Sequence, residues 1–324
     1  MLRFTVVMPL YNKAPYVHKA VESIVGQTFG DWELWVVDDG STDGSDEVVK
    51  QFCDPRIHLH RQPNTGVGAA RNKGVALSGE AASRLPFIAF LDADDWWEPT
   101  FLEEMAALID RHPEAGIYGT GYHIVKNGRR RVAPIGVDEG FAEGEINYFQ
   151  VYARTLCMPL TSITVCIPRE VFESTAGFPE GIKLGEDFLL WASIALHHKV
   201  VLLNKALANY NQDVDTAHRG THHLYPPQEH MLWNLQLVEP KEQNNPDFKQ
   251  LADNLRTYGL LPYYISKKYH IAARQELARV DWDKQPEKYR KLYMRPVFIL
   301  RQRQWILKLA SRIKQQLICR LATP

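Results

Sequence analysis

The sequence predicts an α/β fold, with a mostly parallel central sheet flanked by helices and a helical C-terminal region. Three observations support this prediction. Short apolar runs of strand length alternate with segments of helical periodicity over the first hundred residues. Polar residues follow one apolar run after another, as they do at the carboxyl edge of a parallel sheet. The composition, 45% hydrophobic and 23% charged in 324 residues, is that of a folded protein and excludes a disordered chain or a coiled-coil rod.

The predicted elements of the first hundred residues alternate in type. Strands are expected at residues 4–8, 34–37, 57–60 and 87–91, because each is a short apolar run bounded by polar or turn-forming residues. Helices are expected at residues 16–25, 45–52, 68–77 and 99–109. The first of these helices carries Val17, Ala20, Val21 and Ile24 on one face. Strands that alternate with helices predict parallel pairing and helices on both faces of the sheet.

The rest of the chain divides less sharply. Gly, Pro and short apolar stretches fill residues 113–185, a helix is expected at 186–197, and a strand at 200–203. The region from residue 226 onward has mainly helical character. The sequence therefore predicts three segments: residues 1–112 and 113–225 as two halves of one domain, and residues 226–324 as a helical extension.

The charges are balanced overall but unevenly distributed. The 38 basic and 38 acidic residues cancel, so the chain lacks the global signature of a nucleic-acid-binding protein. Ten basic and no acidic residues lie in 288–324, however. Residues 297–321 have the pattern of a basic amphipathic helix, with Ile299, Ile306, Leu309, Ile313 and Leu317 along one face. Two interpretations stay open: a helix that binds an anionic membrane surface, or a helix packed on its own domain.

The cysteines and the hydropathy pattern indicate a cytoplasmic protein. The four cysteines, Cys53, Cys157, Cys166 and Cys319, form no CxxC pair, so a disulfide framework or zinc site is not expected. We find no apolar run long enough to span a membrane and no signal peptide at the start of the sequence. A location in the cytoplasm, or at the inner face of the cell membrane through the basic tail, is the expectation.

Asp92-Ala93-Asp94 is the sharpest functional signal in the sequence. A buried apolar run, residues 87–91, delivers it to the expected carboxyl edge of the sheet. Carboxylates this close together repel one another unless a cation neutralises them. Carboxylate oxygens suit Mg²⁺ or Mn²⁺, and Mg²⁺ is often held by one or two carboxylates plus substrate phosphates. The alternative is a loop whose acids cap the next helix.

Four further segments complete the pattern. Pro9, Tyr11 and Asn12 follow the first predicted strand, and Asp38-Asp39-Gly40-Ser41 follows the second, where a plain Asx turn is the alternative interpretation. The segment NTGVGAARN at residues 64–72 carries Arg71, which could pair with phosphate. Glu186-Asp187 opens a predicted helix, where acids are also favoured by the helix dipole alone.

These segments together resemble the inverting family 2 glycosyltransferases of the GT-A fold, of the type that builds bacterial surface glycans. The resemblance rests on VVMPLYNKAPYVHKAVESIVGQTFGDWELWVVDDGSTDGS, NTGVGAARNKGV, FIAFLDADDWWEP and GEDFLLW, and it covers about residues 3–215. It implies that residues 1–112 are the nucleotide-sugar-binding half and residues 113–225 the acceptor-binding half. The last hundred residues lie outside it.

The resemblance also implies a role for each site residue. The nucleotide would be bound by Pro9, Tyr11, Asn12, Asp38, Asp39, Arg71 and Asp92, with Asp39 accepting the uracil N–H. Asp94 would bind Mn²⁺ or Mg²⁺, aided by Asp92. Asp187 would be the catalytic base, with Glu186 and Trp191 binding the acceptor. Many relatives carry a histidine after the next strand; it is missing from that place here, and Asp213 or His218 could replace it.

The predicted activity is the metal-assisted, single-displacement transfer of a hexosyl or N-acetylhexosaminyl group. A UDP-sugar would be the donor, and a glycan or lipid-linked hydroxyl the acceptor. The alternatives are a dTDP- or GDP-sugar-dependent transferase of the same fold and a catalytically inactive relative that binds nucleotide-sugars. A nicotinamide-dependent dehydrogenase is excluded, because no GxGxxG follows the first strand.

Overall fold

Four parallel strands form the first half of the central sheet, as the sequence predicts. The computed structural model describes residues 4–80, 86–215 and 223–302. The first seven elements are β1 (Phe4–Leu10), α1 (Ala14–Val25), β2 (Trp32–Asp38), α2 (Ser45–Lys50), β3 (Ile57–Arg61), α3 (Val67–Glu80) and β4 (Phe87–Phe90). The strands lie in the order β3-β2-β1-β4, all parallel. Their carboxyl ends therefore meet at one edge.

The small residues of α3 allow it to lie close to the sheet. A Cβ on Gly74 would lie 2.4 Å from Val7 Cγ1 on β1 and 3.3 Å from Val37 Cγ2 on β2. Both distances are too short for a side chain in a close-packed interior. The apolar face predicted for α1 is buried, with Val17, Ala20, Val21 and Ile24 in the core.

The second half of the sheet is mixed. Its elements are β5 (Trp96–Trp97), α4 (Phe101–Arg111), β6 (Ile117–Lys126), β7 (Arg129–Val132), β8 (Glu143–Ile146), α5 (Tyr148–Thr155), β9 (Val165–Pro168), α6 (Arg169–Glu173), α7 (Glu186–Ala195) and β10 (Val200–Asn211). The strand β9 lies antiparallel between β4 and β6, and β10 pairs parallel with β6. The strands β5, β7 and β8 add antiparallel pairs. Parallel pairing thus dominates only the first half.

The described residues after β10 are mostly helical. Short 3₁₀ turns lie between residues 227 and 244, followed by α8 (Pro246–Gly259), α9 (Leu261–Ile265), α10 (His270–Leu277) and α11 (Glu287–Tyr293). The chain divides into two compact units, Met1–Leu251 and Ala252–Pro324. The first unit therefore extends beyond residue 225, where the sequence suggested a boundary.

The second unit has a polar core of its own. Arg256 is fully buried, and its guanidinium pairs with Glu276 at 3.0 Å and with Asp253 at 3.6 Å. Of the predicted basic tail, residues 303–324 lie outside the described residues. None of the helices in the described ranges has the length and apolar character that a membrane span requires.

Candidate active site

The ends of β1 and β2 build one side of the candidate site. Leu10 pairs with Asp38, so the residues that follow each strand lie side by side. Asn12 has a left-handed backbone (φ 51°); its amide donates to Ser41 Oγ at 3.0 Å, and its side chain accepts from the amide of Thr42 at 2.8 Å. The Tyr11 ring is 48% exposed at this edge. An aromatic face is thus available to a flat ligand next to a rigid turn.

Asp39 orders the loop before α3. Its Oδ1 accepts from Gln62 Nε2 at 2.9 Å and from the amide and hydroxyl of Thr65 at 2.9 and 3.1 Å. Its Oδ2 accepts from the amide of Gly66 at 2.8 Å. A carboxylate has about four lone-pair positions, so one position on Oδ2 is left for a ligand donor.

The turn from Asp92 to Asp95 brings three carboxylates together after β4. The Asp95 amide donates to the Asp92 carbonyl at 3.0 Å and closes the turn. Asp92 pairs with Arg71 at 2.7 Å, and Asp94 pairs with Lys13 Nζ at 2.6 Å. Asp95 is buried and accepts from the amide of Asn211 at 2.7 Å, so it anchors the end of β10. Protein cations or amides therefore engage all three acids.

Burial and mutual repulsion act on two of these acids. The pKa of Asp94 is raised by desolvation, against the effect of Lys13. The pKa of Asp95 is raised well above its ordinary value, first by desolvation and then by Asp94 and Asp92. A cation that approaches this turn would relieve the repulsion.

Arg71 connects this turn to the start of α7. Its side chain is only 3% exposed, and its guanidinium donates to Asp92 Oδ1 and to Glu186 Oε1, each at 2.7 Å. The Cζ atom also lies 5.1 Å from the centre of the Phe178 ring. The sequence suggested a phosphate contact for Arg71. In this structure the guanidinium is buried between these two carboxylates, and a phosphate contact of Arg71 stays a prediction.

Gly185 fixes the entry into α7. Its φ of 84° is left-handed, and a Cβ there would lie 2.3 Å from Met231 Sδ. The segment around Met231 is held in place by backbone bonds: its amide donates to Leu184 O at 3.0 Å, and the amide of Lys183 donates to Glu229 O at 2.8 Å. Residues 229–231 therefore support the helix that carries Glu186 and Asp187.

Asp187 is electrostatically suited to act as a base. Desolvation, followed by the nearby Glu186 charge, raises the pKa of Asp187 to about 7, while Arg71 acts in the opposite direction. Its Oδ1 accepts from the amide of Phe188 at 2.7 Å, and the residue is half-buried at the first turn of α7. A base with a pKa near the working pH is the most effective kind.

A cavity of about 410 Å³ adjoins Asp94. Six of its lining residues are Tyr16, Lys19, Asp94, Trp96, Arg130 and Asn211. Lys19 Nζ lies 3.0 Å from the centre of the Trp96 ring. Asp94 and Asp95 of the turn therefore line a space that a ligand could enter.

Of the two residues predicted as a third metal ligand, only Asp213 belongs to the described residues. Asp213 accepts from the amides of Asn127 at 2.5 Å and Gly128 at 2.8 Å, so its carboxylate holds the turn between β6 and β7. His218 lies outside the described residues. Within the described ranges, no group of three or more His, Cys, Asp or Glu side chains is arranged to hold a metal ion.

Three other predicted ligand contacts are buried. Asp38 is fully buried; its Oδ1 accepts from the amide of Ser41 at 2.8 Å, which is the Asx turn that the sequence left open. Pro9 is a buried residue of β1. Trp191 is 0% exposed and packs on Phe178 with ring centres 5.5 Å apart. The side chains of Asp38 and Trp191 are not accessible in this structure. A nucleotide contact of Asp38 and an acceptor contact of Trp191 stay predictions that would require these side chains to become exposed.

Two features of the site escaped sequence reasoning. Lys13 lies 81 positions from Asp94, and no local pattern links them. His230 is buried beside Trp233, and desolvation lowers its pKa to about 4, so it is neutral near pH 7. The sequence signal that could have pointed to Lys13 is its position directly after Tyr11 and Asn12, the two predicted nucleotide-binding residues that follow β1.

Comparison with known proteins identifies the family. The family model described as "Glycosyl transferase family 2" matches residues 5–168, which is half of the chain. The chain belongs to glycosyltransferase family 2. The resemblance noted from the motifs is thereby confirmed, and the matched range includes Asp39, Arg71 and the Asp92–Asp94 turn.

Relatives in this family cover only part of the chain. An uncharacterized glycosyltransferase of Rickettsia felis is 29% identical over 208 residues, 64% of this chain and 32% of that protein. TuaG of Bacillus subtilis, provisionally named as a teichuronic acid biosynthesis glycosyltransferase, is 35% identical over 124 residues, 37% of this chain and 47% of that protein. The chain thus spans less than half the length of these relatives.

Two solved structures share the fold of this chain. Residues 1–349 of S. aureus TarS in complex with UDP-GlcNAc superpose with a TM-score of 0.69 at 20% identity, covering 89% of this chain and 83% of that one. The mannosyltransferase PcManGT of Pyrobaculum calidifontis, in complex with GDP-Man and Mn²⁺, gives a TM-score of 0.50 at 15% identity, covering 87% and 88%. The GT-A fold predicted from the sequence is confirmed.

Proposed function

We propose that this protein is an inverting, metal-assisted glycosyltransferase that moves a sugar from a UDP-sugar to a hydroxyl of a glycan or lipid-linked acceptor. One observation carries the proposal. The buried Arg71 guanidinium binds both Asp92 and Glu186 at 2.7 Å. The turn whose carboxylates would hold a divalent cation and the start of α7, which carries Asp187, are therefore parts of one site.

The donor base would lie at the edge formed by β1 and β2. The exposed Tyr11 ring can stack on a flat base, and the remaining lone pair of Asp39 Oδ2 can accept an imide N–H. The UDP-GlcNAc named for the TarS structure supports a uridine donor. A GDP- or dTDP-sugar stays the alternative, and the GDP-Man of the PcManGT complex favours keeping it.

A divalent cation fits the Asp92–Asp94 turn on chemical grounds. Both side chains are partly exposed, 30% for Asp92 and 20% for Asp94, and each ion pair uses one carboxylate oxygen. Two carboxylates plus donor phosphates are a typical Mg²⁺ ligand set, so no third protein ligand is required. A Mn²⁺ or Mg²⁺ ion bound there would neutralise charge on the departing diphosphate.

Asp187 would take the proton from the acceptor hydroxyl. The acceptor oxygen then attacks the anomeric carbon from the face opposite the diphosphate, and the bonding pair of the broken C–O bond leaves with UDP. A single attack of this kind inverts the configuration. Arg71 and Glu186 hold the helix start in place. The pKa of Asp187, raised to about 7, makes its ionised form a stronger base than an ordinary carboxylate, and a substantial fraction of the group is still ionised at neutral pH.

Two observations bear on the acceptor and on the location: the name of one relative and the charge of the C-terminal segment. The name of TuaG supports a cell-surface polysaccharide as product. The run of ten basic residues after Glu287 supports docking on the anionic inner face of a membrane, where a lipid-linked acceptor would be found. A catalytically inactive relative is the competing reading, and the retained Asp92, Asp94 and Asp187 oppose it.

A donor screen tests the proposal. The full chain is incubated with UDP-GlcNAc, UDP-glucose, GDP-mannose or dTDP-rhamnose, with Mn²⁺ or with EDTA, and the released nucleoside diphosphate is measured. We expect the wild type to release UDP from a UDP-sugar when Mn²⁺ is present and not when EDTA is present. The Asp187→Asn variant should release much less UDP. Release from GDP-mannose alone would support the alternative donor. Binding of UDP without turnover of any donor would support the inactive relative.

A further inference from the structure

Lys13 pairs with one oxygen of the carboxylate that is expected to bind a divalent cation, that of Asp94. Its Nζ is 2.6 Å from Asp94 Oδ2, and the two side chains are only 15% and 20% exposed. A contact this short is a charge-assisted hydrogen bond. The carboxylate expected to bind the divalent ion is therefore already neutralised by the protein itself.

The backbone of Lys13 is held in place, whereas its side chain has a long stem. The Lys13 amide donates to Ser45 Oγ at 2.8 Å, and the Lys13 carbonyl accepts from the amides of Tyr16 at 2.9 Å and Val17 at 3.0 Å. A lysine ammonium on a fixed backbone can still swing through several ångströms. Movement of the charge therefore requires no movement of α1.

Among the described residues, Lys13 and Arg71 are the cations that pair with Asp94 and Asp92, and they differ in their freedom to move. Arg71 is 3% exposed and bonded to both Asp92 and Glu186, so moving it would leave two carboxylates unpaired. Lys13 adjoins Asp94, which lines the cavity of about 410 Å³ beside the turn. Lys13 is therefore the cation of this turn that can be exchanged.

We propose that Lys13 is a positioning residue that neutralises Asp94 in the empty enzyme and moves to the donor's diphosphate when a divalent cation binds Asp94. A divalent ion on one oxygen of the Asp94 carboxylate and an ammonium group on the other would repel each other strongly, because the two charges would be only a few ångströms apart. The diphosphate offers the displaced ammonium a new anionic partner. The first half of this proposal is independent of the proposed function, and the second half rests on it.

The test measures Mn²⁺ and UDP binding separately on the full chain. Free Mn²⁺ is followed by electron paramagnetic resonance without nucleotide, and UDP binding is followed by calorimetry at saturating Mn²⁺. The variants are Lys13→Met and Lys13→Arg. Lys199→Met is the matched control, since Lys199 pairs instead with Glu114 and Glu145, each at 3.4 Å.

Lys13→Met should bind Mn²⁺ alone roughly three- to tenfold more tightly than the wild type, because the competing charge is gone. The same variant should bind UDP with Mn²⁺ roughly tenfold more weakly, because a charged hydrogen bond to phosphate is lost. Lys13→Arg should weaken Mn²⁺ binding, since a guanidinium can hold the carboxylate with two bonds. This second variant also tests the proposal if Lys13→Met does not fold.

Results other than these would refute one or another part of the proposal for Lys13. Mn²⁺ affinity in Lys13→Met equal to that of Lys199→Met would mean that Lys13 does not compete for Asp94. Tighter Mn²⁺ binding with unchanged UDP binding would overturn the transfer to the diphosphate. A wild-type chain that binds Mn²⁺ but no nucleotide would refute the proposed function and leave the competition at Asp94 standing.

Discussion

Replacing Arg71 with methionine tests the bridge between the two halves of the candidate site. The variant keeps the apolar stem and removes a guanidinium that binds Asp92 and Glu186 at 2.7 Å each. Breaking a buried ion pair from one side typically costs about 3–5 kcal/mol. Because Asp92 is 30% exposed and keeps some contact with water, we expect the lower end, about 3 kcal/mol.

The expected loss can be read in a thermal melt. For a unit of this size, 1 kcal/mol corresponds to about 2–4 °C in Tm, so Arg71→Met should melt about 6–12 °C below the wild type near pH 7. The difference in Tm between the variant and the wild type should become smaller at lower pH, because protons neutralise the carboxylates of Asp92 and Glu186 that the variant leaves unpaired. Arg71 also lowers the pKa of Asp187, so the rise of activity with pH should move to higher pH in the variant.

Two controls separate the bridge from general loss of charge. Arg111→Met breaks an exposed pair with Glu143, also 2.7 Å long, and should cost no more than about 1 kcal/mol. Arg71→Met combined with Glu186→Gln should recover part of the lost stability, because one unpaired charge is removed. If Arg71→Met and Arg111→Met have the same Tm, the inference that Arg71 joins the two halves of the candidate site is refuted.

Four further predictions concern α7. Asp187→Asn should lower turnover at least about a hundredfold with UDP affinity unchanged, and near-normal turnover would show an acid that serves only the helix start. Turnover of the wild type should rise with pH through about 7, because Asp187 must lose its proton to act; a flat profile in that range would contradict this assignment. Gly185→Ala should lower Tm and turnover more than Gly181→Ala. Both glycines have a left-handed backbone, with φ of 84° and 80°, but only a Cβ on Gly185 would contact Met231, at 2.3 Å. Trp191→Ala should destabilise the fold by about 3–5 kcal/mol, whereas Trp191→Phe should leave the acceptor KM unchanged, and a raised KM would restore a contact with the acceptor.

Local sequence patterns determined the parallel half of the sheet and the turns that follow its strands. An apolar run followed by acids is a signal contained in about ten consecutive residues, and it located β1, β2, β4 and the turn at Asp92–Asp95. The helix starting at Glu186 was predicted at its observed first residue. Such features depend on neighbours along the chain, which is what hydrophobic periodicity reports.

Only the tertiary structure decided strand direction in the second half. The residues of β9, Val165–Pro168, are as apolar as those of a parallel strand, yet β9 runs antiparallel between β4 and β6. A short buried run has the same pattern in either direction. The long strand β6 was also not predicted, since its glycines and polar residues interrupt the apolar pattern.

The partners of the site residues were likewise decided in space. Arg71 finds Asp92 across 21 positions and Glu186 across 115, and Lys13 finds Asp94 across 81. The sequence could name the acids and the motifs they belong to, because these are contiguous. It could not say that Arg71 is buried between two of them or that Trp191 is in the core, because ion pairing and burial depend on distances that only the folded chain defines.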